Sequence, residues 1–138
     1  MSLTHLYTIM CDDVRTENNG KLIVIGVYTP NIGVPMLPMG FGKLSFVVAF
    51  TSDIVARHQM RAQIRHLETG HVLGELMGMI THATPGFGIG VLQFPNVIVT
   101  QAGRYNLILN IEGRTDPLVH DFEVILQMAQ QLPAQALL

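Results

Sequence analysis

Asp12, Asp13, Arg15 and Glu17 crowd the stretch CDDVRTENNGKLIVIGVY (residues 11–28), and His66 and His71 flank Glu68 further along. Paired carboxylates do general acid–base work where a cleft shifts one pKa, and carboxylates with imidazoles bind zinc where the ligands converge. Both chemistries depend on which strand face carries each side chain. Around Asp12 and Asp13 there is neither a neighbouring histidine nor a glycine-rich anion nest, so this cluster is expected to scaffold a turn rather than to catalyse. Asp12 or Asp13 caps the backbone there, and Arg15 pairs with Glu17 on one strand face. Cys11, the only cysteine, has two acidic neighbours that raise a thiol pKa and weaken its nucleophilicity. Serine is nearly absent, with Ser45 inside a strand and Ser2 at the terminus, and supplies no nucleophile with an acid–base partner. No catalytic, cofactor-binding or metal residue is assigned.

Register decides the His66, Glu68, His71 trio. A two-residue turn at Thr69-Gly70 gathers the three on one face but also turns Glu75 to the apolar side with Ile64, where an unpaired carboxylate is costly. A three-residue loop with Gly70 in the left-handed position and Leu67 opposite His71 separates the faces. Met60, Ala62, Ile64, His66, Val72, Gly74, Leu76, Gly78 and Ile80 then face the core. Glu75 sits opposite Gln63 between Arg61 and Arg65, each such cross-strand pair contributing about 0.2–1 kcal/mol. In that register the trio comes apart, and a rim histidine bonded to backbone is the expected reading. The outward face carries Arg61, Arg65, Leu67, Leu73, Glu75, Met77 and Met79. That surface is too apolar for plain solvent, and it is the expected interface unless a loop or the C-terminal tail covers it.

The elements that position these residues read as strands. Alternation of apolar and polar residues, rich in β-branched and aromatic types and punctuated by Gly, Pro, Asn and Asp, recurs along the chain. It predicts about eight strands near 4–11, 21–29, 43–51, 60–67, 71–81, 91–99, 104–112 and 118–128, within about 2–4 residues. KLSFVVAFT, apolar on both parities, is expected in the middle of a sheet. Asn19-Gly20 predicts a two-residue type I′ hairpin turn pairing Asn18 with Lys21. Residues 29–43 and 81–90 read as Pro-containing crossovers between sheets or as edges, and GFGIG (86–90) as a flexible loop without the dinucleotide-binding spacing. One domain, 1–128, is expected, with 129–138 a short helix or disordered.

At 138 residues the chain is long enough to bury a core without disulfides or metals. Net charge of −2 gives no footprint for nucleic acid, and the longest apolar run, FVVAF, falls far short of a membrane span. A cytoplasmic protein without cofactors is the expectation. Charged residues make up only 13% against an ordinary ~25%, so something should cover apolar surface.

CDDVRTENNGKLIVIGVY, followed by VPMLPMGFGKLSFVVAF and closing with AGRYNLILNIEGR, resembles an uncharacterised family of small bacterial β-sandwich proteins. The resemblance implies an all-β, immunoglobulin-like, two-sheet antiparallel sandwich and no established activity. Gly103-x-Tyr105 also looks like the tyrosine corner of Greek-key sandwiches. Three functions compete. The first is a non-enzymatic module assembling with itself or a protein partner. The second is a small-molecule or carbohydrate binder using loops around Pro35, Phe41, Pro85 and Phe87. The third, least favoured, is a metal enzyme at Asp12, Asp13 and a histidine.

Overall fold

The computed structural model describes residues 3–29, 31–53, 56–82 and 85–127. They form nine strands: β1 (Leu3–Thr16), β2 (Leu22–Val27), β3 (Ile32–Val34), β4 (Met39–Ser52), β5 (Ala56–His66), β6 (Val72–His82), β7 (Gly86–Val99), β8 (Gly103–Ile111) and β9 (Leu118–Leu126). Four make one sheet in the order β2-β1-β4-β7, and five make the other in the order β3-β9-β8-β5-β6. The all-β, two-sheet sandwich is therefore present. Its core is drawn from alternate residues of both sheets, including Phe46, Phe50 and Phe94 from one and Ile64, Tyr105, Leu107 and Phe122 from the other. The expected helix or disorder over 129–138 lies outside the described residues.

Both Pro-containing stretches contribute edge strands, one of the two roles expected of them. Within 29–43, Ile32 and Val34 bury themselves almost completely on either side of Gly33, enough for a ninth, three-residue strand. It runs parallel to β9, Ile32 opposite Val124, a departure from the all-antiparallel expectation. Within 81–90 the glycine alternation is not a loop: Gly86 to Gly90 pair residue by residue with Ser52 to Val48 of β4. Pro95 within β7 is tolerated because β7 is an edge strand and owes no ladder bond on its outer side. β4 lies mid-sheet, between β1 and β7, as its double apolar parity requires.

Two hairpins differ from expectation by one residue. At the first, Glu17 rather than Asn18 pairs with Lys21 (N···O 2.8 Å), closing a three-residue turn in which only Gly20 is left-handed, at φ 86°. Asn19 stays in the ordinary region and accepts the Lys21 amide on Oδ1 at 3.1 Å. At the second, Glu75 faces Gln63 as expected, but a bulge beyond Ile64 sets Arg65 opposite Val72 and the loop spans 67–70. His66 holds this wider loop, its Nδ1 accepting from the Thr69 amide at 3.3 Å and lying 2.9 Å from the Thr69 hydroxyl. The bulge exchanges two side chains. Val72, expected in the core, is exposed, and Leu73, expected outward, packs on the core.

Candidate functional site

The register of the four-stranded sheet builds one apolar plane on its outer face. Tyr7, Ala49 and Ile89 form one row across β1, β4 and β7. Ile9, Val47 and Val91 form the next, and Phe87 stands opposite Thr51 beyond them. The parity follows from the core: Met10, Phe46, Val48, Phe50 and Leu92 point inward, so their alternating neighbours point out. Ala49 and Val47 lie at the bottom, shielded by larger flanking residues, while Tyr7 (42%), Ile89 (43%) and Phe87 (58%) are solvent-exposed. No charged side chain occupies these rows.

A polar rim bounds the plane at one end, and it is the cluster that opened the sequence analysis. Asp13 accepts from Lys43 at 3.0 Å, from Arg15 at 3.2 Å and from the Val14 amide at 2.9 Å. Lys43 first and Arg15 second hold its carboxyl below the ordinary carboxylate range. Arg15 thus pairs with Asp13 and not with Glu17. Gln93 reaches across β4 to the Val14 carbonyl at 3.0 Å. Asp12 accepts from the Tyr28 hydroxyl, whose pKa is pushed up by burial and by that carboxylate. Gly26, at φ 69°, lets the Asp12 carboxylate lie where a Cβ would collide with it. Cys11 is fully buried, and burial chiefly, with Asp12 and Asp13, raises its thiol pKa. These groups satisfy one another, and what they do chemically is to fix the β1–β2 hairpin beside the apolar plane.

The interface expected from sequence lies on the other sheet, on β5 and β6. Met77 is 76% exposed, Met79 half exposed and Leu67 exposed. Arg61 pairs with Glu75 at 2.9 Å, and Gln63 donates to the same carboxylate at 2.7 Å, both lowering its pKa, while Arg65 is half-buried. With Leu73 turned into the core and Val72 exposed in its place, Leu67, Val72, Met77 and Met79 surround the Arg61–Glu75 pair, so this face is a mixed charged and apolar surface.

The ligand-loop residues do not form one site. Phe41 pairs with Val97 and Phe87 with Thr51, ten residues apart along β4, or about 34 Å. Pro35 and Pro85 are exposed, and Phe41 packs on the core. The histidine trio does not converge either. His66 is buried, its Nε2 lying 3.3 Å from the Ala102 carbonyl, while Glu68 and His71 are exposed. Because Nδ1 accepts from the Thr69 amide, the Nε2 hydrogen is the one donated to Ala102. Among the described residues no three His, Cys, Asp or Glu side chains gather as a metal site. The outer plane escaped sequence reasoning because the side chains that β7 adds to it, Phe87, Ile89 and Val91, begin inside GFGIG. Alternating Phe and Ile between glycines was the available signal.

A family model described as a family of unknown function, DUF6941, matches residues 6–119. No match is found among curated proteins. Among solved structures, a β-glucosidase from Listeria innocua in complex with glucose aligns with a TM-score of 0.44 at 8% identity, covering 70% of this chain and 15% of that one. The β-glucosidase from Listeria innocua in complex with isofagomine aligns with a TM-score of 0.45 at 8% identity, covering 88% and 17%. The chain spans less than a fifth of those enzymes, and a likeness of this degree says nothing about activity. No helix among the described residues is long and apolar enough to cross a membrane.

Proposed function

The chain belongs to DUF6941, a family of unknown function, and we propose that it is a non-enzymatic assembly module that pairs with a second copy of itself through the outer face of the four-stranded sheet. The observation that carries this reading is the uncharged plane of Tyr7, Ile9, Val47, Ala49, Phe87, Ile89 and Val91, bounded at one end by Asp13, Arg15 and Lys43. An apolar centre with a polar rim is the anatomy of a protein interface, and aromatic residues such as Tyr7 and Phe87 are enriched there. Continuity with an open edge supports it further. β7 ends its sheet and carries no charged residue along its fourteen positions, so nothing on that edge repels an approaching copy. A cytoplasmic location and a protein rather than a nucleic-acid partner belong to the same proposal, the net charge of −2 offering no basic surface.

The test is the absolute mass by light scattering after size exclusion, for the wild type and for Ile89→Glu and Val91→Glu. A wild-type dimer or larger assembly that becomes monomeric in both variants, with unchanged far-ultraviolet circular dichroism, is the expected result. A wild-type monomer at high concentration, or an assembly indifferent to both substitutions, overturns the proposal.

A further inference from the structure

Asn19 and Gly20 sit in the turn that joins β1 to β2, and both are exposed. An asparagine followed by glycine holds an electrophile and a nucleophile side by side, its own side-chain amide carbon and the next backbone nitrogen, which close a succinimide ring when they join. Asn31, Asn96, Asn106 and Asn110 are each followed by Ile, Val or Leu, whose side chains crowd the attacking nitrogen, and Asn18 is followed by Asn19. Only Asn19 precedes a glycine. Apart from its chain neighbours, no described residue comes within 4 Å of where a Gly20 Cβ would stand, so water and base have free access.

The turn withholds the nucleophile. The Gly20 amide donates to the Glu17 carbonyl at 2.9 Å, inside a turn closed by the Glu17 amide on the Lys21 carbonyl at 2.8 Å. The electrophile is tied as well, Asn19 Oδ1 accepting from the Lys21 amide at 3.1 Å. An amide nitrogen attacks only after losing its proton, and a proton given to Glu17 is closed to base until that hydrogen bond breaks. Exposed hairpin ends break such bonds by local opening, at far less cost than global unfolding. Gly20 holds φ 86° without strain, so the residue that makes the pair reactive also builds the turn that shields it.

We propose that Asn19 is a site of spontaneous conversion to aspartyl and isoaspartyl, gated by opening of the β1–β2 turn. In the open turn a base takes the Gly20 amide proton and the nitrogen attacks Asn19 Cγ. The Cγ–Nδ2 bond then breaks, and Nδ2 leaves with an added proton as ammonia. Water opens the imide. Attack at Cγ gives an aspartyl residue, and attack at the Asn19 backbone carbonyl gives isoaspartyl, with Cβ inserted into the turn backbone. The reading is independent of the assembly face.

Full-length protein is held at mildly alkaline pH with and without urea, and conversion is followed by peptide mapping with electron-transfer fragmentation, which separates aspartyl from isoaspartyl. Conversion at Asn19 ahead of every other asparagine, at least about tenfold slower in the native protein than in urea, is expected. Hydrogen exchange of the Gly20 amide should show protection no larger than that slowing, since both reactions wait for the same N–H. A Cβ at Gly26 would collide with the Asp12 carboxylate, so Gly26→Ala loosens the hairpin away from the turn. It should speed native conversion and leave the rate in urea unchanged. Gly20→Ala should slow the reaction in urea, where folding plays no part. Native conversion as fast as in urea, a native rate indifferent to Gly26→Ala, a rate in urea indifferent to Gly20→Ala, or another asparagine converting first overturns the proposal.

Discussion

The hydroxyl of Tyr105 donates to the carbonyl of Gln101, four residues upstream, at 2.5 Å. The ring is buried, stacked on Phe122 at 5.7 Å between centroids and met edge-on by His66 at 4.8 Å. It therefore ties the entry of β8 to both β9 and the β5–β6 hairpin. This is the tyrosine corner that Gly103-x-Tyr105 suggested. Tyr105→Phe keeps the packing and leaves the Gln101 carbonyl without its donor. Urea unfolding should show a loss of about 1–2 kcal/mol with an unchanged m-value.

The two candidate faces make opposite demands. Met77→Glu places a charge on the arginine-bearing face of β6, where Arg61 lies directly opposite. It should leave the solution mass unchanged, whereas Ile89→Glu should lower it. A mass that falls with Met77→Glu and not with Ile89→Glu would move the interface to the five-stranded sheet.

Cys11 is closed to solvent and its thiol is held in the neutral form by burial and by Asp12 and Asp13. Ellman's reagent should not react with the native protein over hours at neutral pH and should titrate one thiol per chain in denaturant. Prompt native reactivity would mean that the β1–β2 hairpin opens readily.

His120 sits half-buried with its ring edge-on to Phe46, 6.2 Å between centroids. Burial chiefly lowers its pKa, with His5 acting in the same direction and Asp121 opposing. The unfolded chain therefore binds the proton more readily than the folded one. Stability is full above the unfolded value near 6.5 and is lost as pH falls through the lower folded value. His120→Gln should flatten the part of the stability profile just below about pH 6.5, while the carboxylate-driven loss at lower pH remains. An identical acid limb in both proteins would assign the effect elsewhere.

Strand type and core were legible wherever one parity was uniformly apolar. Tyr105, Leu107 and Leu109 on β8, and Phe122 and Val124 on β9, are buried as their alternation demands. What misled was local. A single glycine in the left-handed region serves a three-residue turn as well as a two-residue one, so Asn19-Gly20 did not determine the register around Glu17. The bulge at Leu73 depends on His66 finding Thr69 and Ala102, and the second contact comes from 36 residues away. The candidate face was missed for a similar reason. Glycines at 86, 88 and 90 look like a loop until β4 is beside them, and only pairing shows that their partners in the alternation, Phe87 and Ile89, share a plane with Tyr7.

The strand order also dictates a timetable. β4 hydrogen-bonds β1 on one side and β7 on the other, and β7 begins thirty-four residues after β4 ends, at Gly86 against Ser52. On the ribosome, β1, β2 and β4 emerge first and can pair, but β4 keeps a bare edge, and its inward Phe46 and Phe50 stay uncovered, until β7 and the second sheet are made. Non-local pairing of this kind folds slowly and leaves partly built sheets open to one another. Crowding of nascent chains, rather than any weakness of the finished sandwich, is where this protein should be most prone to aggregate.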